Sequence, residues 1–194
     1  RGGVSLGVDR ESHNGEGDRM TTKTLRVPDE LNAATLLAAV ENEPTPAEWP
    51  EGAKYLEASQ CSVIAELMIG RLQKHLHGAL IGYVFREEMA GRNRVILAKA
   101  SKASGALAWL TGYDFLISFN FNRWLELELA ARCALVDHEL SHFEYDLETG
   151  NYFVVGHDLE EFHAIVRRWG FWKPDLVSFA EVVKVQLELF GRTW

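Results

Sequence analysis

Asn122–Asp146, NRWLELELAARCALVDHELSHFEYD, is the stretch on which the fold and chemistry of this chain turn. Its apolar positions Leu125, Leu129, Cys133, Val136 and Leu140 recur at steps of four and three, the spacing that lines one face of an amphipathic helix. Asn122 stands where a helix N-cap belongs. Late in the same pattern comes HELSH, His138–His142, a match to HExxH. Residues four apart share a helix face, so both imidazoles can grip one metal ion, with Glu139 beside them. Zinc held by neutral histidine nitrogens lowers the pKa of water to about 7, and a neighbouring glutamate then takes its proton as that water attacks a carbonyl. The motif points to hydrolysis of peptide bonds, with His138 and His142 as ligands and Glu139 as general base. Without a third ligand, two histidines and a glutamate at the solvated end of a helix have a second reading, as surface residues.

On the C-terminal side the candidate third ligand is His157, which follows a loop containing Gly150 and Gly156 and precedes a further helix, so it can swing back over the HELSH face. Asp146, Glu160, Glu161 and His163 compete with it. Asp146, four beyond His142 on the expected helix, sits too far along the axis to complete a tetrahedron and suits support of a ligand better. Asp158 and Glu161 fit a capping box for the helix DLEEFHAIVRRWG, which Gly170 stops, and His163 fits an exposed position on it. Pro174 opens a last helix running to about Phe190. LETGNYFVV is expected to be a loop with strand character.

On the N-terminal side, Ala53 to about Leu76 carries an amphipathic helix pattern through Leu56, Cys61, Ile64, Leu67, Met68, Leu72 and Leu76. ALIGYVFR (79–86) and RVILAKAS (94–101) flank the turn-like EEMAGRN and predict a β-hairpin, and the alternating, aromatic-rich YDFLISFN (113–120) a third strand paired with them. The sum is α+β, with a small antiparallel-type sheet of about three strands. Helix 122–146 directly follows the third strand, an arrangement in which a sheet edge can align an extended peptide beside the motif. The aromatic set Phe115, Phe119, Phe121, Trp124, Trp169, Phe171 and Trp172 falls at spacings expected of core packing rather than of a base-stacking platform.

A length of 194 residues with 47% hydrophobic and 25% charged side chains suits one globular domain and excludes a wholly disordered chain. Residues 1–19 lack periodicity and precede Met20, so they are expected to be foreign or a misassigned start; ENEPTPAEWPEG, ending at Gly52, is expected to be a Pro-rich arm. Residues 1–52 are then a leader and Pro-rich N-terminal arm, and the single domain is 53–194. No long apolar run predicts a membrane span or signal peptide, and Cys61 and Cys133, without CxxC partners, are expected as reduced core thiols of a cytoplasmic protein. A net charge of −8 argues against a surface devoted to nucleic acid. Between Arg71 and Lys102, however, seven cations face only Glu87 and Glu88, a local balance of +5. This suits a solvated sheet edge or, alternatively, weak nucleic-acid contact through Arg86, Arg92 and Arg94.

HELSH, a Gly-containing loop and GHDLEEF (156–162) resemble the SprT-like and Spartan-type zinc metallopeptidases, most of all the phage metallopeptidases. In that group a sheet strand, an aromatic such as Trp124, an ALVDHEL-type run and an HD-x-EEF segment before an arginine-rich helix end (here Arg167, Arg168, Trp169, Gly170) occur in this order. The resemblance spans Leu56 to Lys173. It implies a zincin-like fold, Zn2+ bound by His138, His142 and His157, Glu139 as general base, and a protein or peptide substrate in a bacterial or phage-infected cytoplasm. One departure concerns Phe162, five residues after His157 where the SprT-type pattern has its Phe at four. A non-catalytic, metal-stabilised binding or phage accessory protein is the alternative, marked by a fourth protein ligand. Tyr145 and Tyr152 are the candidates for stabilising an oxyanion.

Overall fold

The structure is a computed structural model that describes residues 27, 29–91, 95–157, 166, 168–171 and 174–189. It is α+β: among the described residues, six α-helices, a mixed four-stranded sheet and a separate two-stranded sheet. No described helix is long and apolar enough to cross a membrane.

The main sheet contains β1 (Leu56–Glu57), β2 (Ile81–Arg86), β3 (Ala98–Lys102) and β4 (Phe115–Asn120), in the order β1-β2-β4-β3. β2 and β3 are therefore not the hairpin that the sequence predicts. β4 lies between them, parallel to β2 with Ile81 opposite Phe115, and antiparallel to β3 with Ala100 opposite Ile117. Burial explains the choice. Phe115, Ile117 and Phe119 are fully buried, so β4 takes the centre, whereas β3 carries the exposed Lys99 and Lys102 and suits an open edge. The connection from β3 to β4 holds a short helix, α3 (Gly105–Thr111), where the sequence suggested only a loop; Gly112 ends it in the left-handed region at φ 73°.

One face of the sheet is covered by α1 (Ala33–Asn42), α2 (Ser59–Ile69), α4 (Phe121–Glu126) and α5 (Leu129–Leu140), which supply most of a single apolar core. α1 corrects the N-terminal arm. Its Leu36 and Val40, with Leu31 before it, pack into the same core as Ile64, Phe85 and Val136, so the compact unit takes in residues ahead of the Pro-rich segment. Asn32 starts α1 from positive φ (50°), its side chain accepting from the Thr35 amide. The buried Gln60 ties the layer together: its Oε1 accepts from Trp124 Nε1 (3.0 Å) and Arg132 (2.7 Å), and its Nε2 donates to the Val40 and Glu43 carbonyls at the end of α1.

The helix expected over 122–146 is broken. α4 and α5 are separate, with Leu127 and Glu128 extended between them, and Asn120 rather than Asn122 caps α4. Leu125, Leu127 and Leu129 alternate with Glu126 and Glu128, a period of two that a straight helix cannot bury on one face. α5 stops at Leu140, and the chain re-emerges as β5 (Phe143–Asp146), paired with β6 (Asn151–Val154) in a hairpin. Asp146 is thus not on the helix. Its carboxylate accepts from the amides of Glu148 and Thr149 and from the Thr149 hydroxyl, and these bonds, the hydroxyl first, hold it below the ordinary carboxylate range. It organises the hairpin turn, which Gly150 completes at φ 69°.

The capping box at Asp158 and Glu161, the competitors Glu160 and His163, and Phe162 lie outside the described residues. Gly170 does end a helical turn, donating to the Val166 carbonyl at φ 68°, and α6 (Pro174–Leu189) opens at Pro174 as expected. Of the aromatic set, Phe115, Phe119, Phe121 and Trp124 are core, but Trp169 and Phe171 are exposed, and Trp172 is outside the described residues. Cys61 and Cys133 are free and buried, as expected; burial pushes the Cys61 thiol well up and Cys133 up to about 11.

Candidate metal centre

His138 and Glu139 sit in the last turn of α5, and Ser141 closes it in helical geometry with its amide shared between the Asp137 and Glu139 carbonyls. The His142 amide then bonds back to Glu139 (3.3 Å), so the tightened end of the helix still carries His142 round beside His138, their rings 5.2 Å apart and perpendicular. Beyond β6 the chain returns His157 to the same place, its ring 5.0 Å from His138 and 4.6 Å from His142. One ligand nitrogen from each of the three lies within 4.8 Å of the others. All three predicted ligands meet.

The hairpin register brings this about. Phe143 pairs with Val154, and the ladder runs one step further: the Val155 amide donates to the His142 carbonyl (2.8 Å). The Val155 carbonyl in turn faces His142 Nδ1 at 2.8 Å. A carbonyl only accepts, so Nδ1 carries the proton and Nε2 presents a lone pair, the arrangement by which an outer partner orients a metal-binding histidine. His157 Nε2 and His138 Nε2 are 3.2 Å apart. Two nitrogens bound to one tetrahedral zinc at about 2.0–2.1 Å stand about 3.3–3.4 Å from each other. The donor set, and the spacing of this pair within it, fit that ion.

Glu139 is buried, 4% exposed, with its carboxylate toward the backbone amide of Ala100 on β3. Burial raises its pKa, opposed by the charge of His142 and by that amide. His138 is shifted down by desolvation and by His142 and His157, against a smaller pull from Asp137, which favours the neutral, ligating form.

The four side chains floor a cleft of about 560 Å³, walled by Val95, Ile96, Ala98 and Ala100 on one side and Val154 and Gly156 on the other. Leu97 accepts from Asn120 and Ala103 donates to Asp114, so the odd positions of β3 face β4. By alternation, Ala98 and Ala100 direct their backbone groups to the open edge, along the cleft.

Tyr145 and Tyr152 do not line this cleft. Tyr152 packs against Phe115 and Tyr145, with its hydroxyl beside Gly78, so neither tyrosine meets the expectation of an oxyanion donor here. Arg86 is exposed at the end of β2, and Arg92 and Arg94 lie outside the described residues. Sequence reasoning missed Val155 and Ala100 because both act through backbone groups, which leave no mark in residue type.

An α+β fold that gathers three imidazoles and a buried carboxylate under an open sheet edge defines a protein with a candidate metal-dependent centre. The chain belongs to the family described as "Putative phage metallopeptidase", whose model matches residues 53–184. No curated protein and no solved structure matches it.

Proposed function

We propose that this chain is a zinc-dependent metallopeptidase of SprT-like, phage type with a zincin-like fold, in which His138, His142 and His157 hold Zn2+ and Glu139 is the general base. The convergence of the three imidazoles beside the buried Glu139 carries this proposal. When bound, zinc supplies a Lewis acid beside which water ionises near neutral pH, at about 7. Glu139 accepts the water proton at its carboxylate and returns it to the leaving amine. Its partial desolvation raises its basicity toward that task. The Ala100 amide fixes the carboxylate on the side of the cleft where β3 runs.

The substrate proposed is a protein or peptide in extended form, aligned along the outward backbone groups of Ala98 and the carbonyl of Ala100. Action in the cytoplasm of a bacterial or phage-infected cell belongs to the same proposal. Nucleic-acid contact through Arg86, Arg92 and Arg94 is a separate proposal, supported by the +5 balance of residues 71–102. Zinc content of the purified chain, together with chelator-sensitive cleavage of an unfolded protein, tests the main proposal. One zinc per chain and cleavage that Glu139→Gln abolishes are expected; cleavage indifferent to chelators overturns it.

A further inference from the structure

The hairpin β5–β6 has its own ladder, separate from the main sheet, yet its two open ends adjoin two of the three imidazoles. His142 immediately precedes β5, and His157 follows the Val155 pair that extends the hairpin. His138 belongs to α5 instead. The end of α5 holds His142 beside His138, so the approach of His157 to that pair is what the seat of the hairpin on the domain sets. Phe143 stacks on Phe115 of the central strand, with centroids 3.8 Å apart and planes 10° off parallel. Stacked rings resist separation but slide easily in their own plane, so the stack alone leaves the hairpin free to shift sideways.

Two hydrogen bonds oppose that slide, one on each strand. Lys102, at the end of β3, donates from Nζ to the Tyr152 carbonyl of β6 at 2.6 Å. His75, in the 3₁₀ turn Lys74–Leu76, donates from Nε2 to the Phe143 carbonyl of β5 at 2.9 Å. The donors come from different elements and hold different strands, which fixes the hairpin in both position and rotation. Neither His75 nor Lys102 is among the residues lining the metal cleft.

We propose that Lys102 and His75 are positioning residues for the metal centre, latching the β5–β6 hairpin so that His157 stays at the spacing from His138 and His142 that an ion requires. This rests on the three-histidine site described above. Loss of both latches lets the hairpin drift and weakens metal binding, although every ligand is intact.

The test uses the full chain with Lys102→Met, His75→Leu, both together, and the donor-retaining Lys102→Arg and His75→Gln. Zinc affinity is measured by competition with a chromophoric chelator, and Co2+ absorption spectra report ligand geometry. The double variant is expected to bind zinc about 10- to 100-fold more weakly, the range for partners that orient ligands. Its Co2+ bands should change, its metal-free thermal midpoint should stay at the parent value, and the donor-retaining variants should restore affinity. Should the double variant fail to fold, the single variants carry the same readouts. Parent-like zinc affinity in the variants, or an affinity loss matched by equal destabilisation of the metal-free chain, overturns the positioning role. A parent chain that binds zinc no better than His157→Ala overturns the metal site itself.

Discussion

His142 and Val155 hold each other twice: the Val155 amide donates to the His142 carbonyl at 2.8 Å, and His142 Nδ1 bonds the Val155 carbonyl at 2.8 Å. Thirteen residues separate them in sequence. The pair joins the end of the HELSH helix to the segment bearing His157, so one backbone register sets both the tautomer of one ligand and the approach of another.

Metal removal should therefore be felt by the whole fold. A ligand that binds only the folded state at 100 times its dissociation constant adds about 2.7 kcal/mol. Thermal unfolding of the chain with and without saturating zinc should show a clear rise in midpoint, and His157→Ala should abolish it. Because the imidazoles must be neutral to ligate, zinc should leave as pH falls below the ordinary histidine range, about 6.5, while desolvation and its histidine neighbours keep His138 below its own ordinary value. Zinc content after dialysis at stepped pH checks this; retention in strong acid would contradict it.

Glu139→Gln separates binding from chemistry. Glu139 contributes no ligand atom to the histidine cluster, so zinc stoichiometry should be unchanged while hydrolysis falls by about 10²- to 10⁴-fold, the usual contribution of a general base. Parallel metal analysis and turnover measurements decide it.

The same substitution should alter the pH dependence of stability in chelator-treated protein. Burial raises the Glu139 pKa above its unfolded value of 4.5, so its favourable contribution is complete below that value and is lost as pH rises through the folded pKa. At neutral pH the buried charge is a cost that glutamine removes. Unfolding midpoints should be higher for the variant at pH 7 and converge with the parent in acid; a constant offset at every pH would refute the assignment.

Leu36 lies in a segment that the sequence assigned to an arm, yet it is fully buried. Leu36→Ala should cost about 2–5 kcal/mol, as cavity-forming substitutions in cores do. Urea unfolding gives the number, and an effect near zero would detach α1 from the core.

Gln60→Leu keeps the shape but leaves the Trp124 indole N–H and the Arg132 guanidinium without their acceptor. An unsatisfied buried donor costs about 1–3 kcal/mol, and more when charged. The expected loss should shrink when Arg132→Met is added, which a double-mutant cycle would read as coupling.

The helical pattern ahead of HELSH, the two histidines four residues apart, the glutamate between them and the return of His157 were all legible in residue types, since spacing along a helix and glycine-rich reversals are local properties. The α+β class followed from the same local patterns, and so did the last helix, α6, which opens at Pro174. Strand order did not. Whether 79–86 pairs with 94–101 or admits 113–120 between them depends on which strand must bury Phe115, Ile117 and Phe119 on a shared core, a competition decided across the molecule. Nor did the break at Leu127–Glu128, the docking of α1, or the role of Asp146 show, because each is settled by what lies opposite in space. At the metal centre the division is sharpest. Sequence determined which side chains can ligate, because imidazole and carboxylate chemistry belongs to residue type. Tertiary structure alone decided how they are aimed, because the Val155 carbonyl and the Ala100 amide are backbone groups that every residue carries and only folding brings into place.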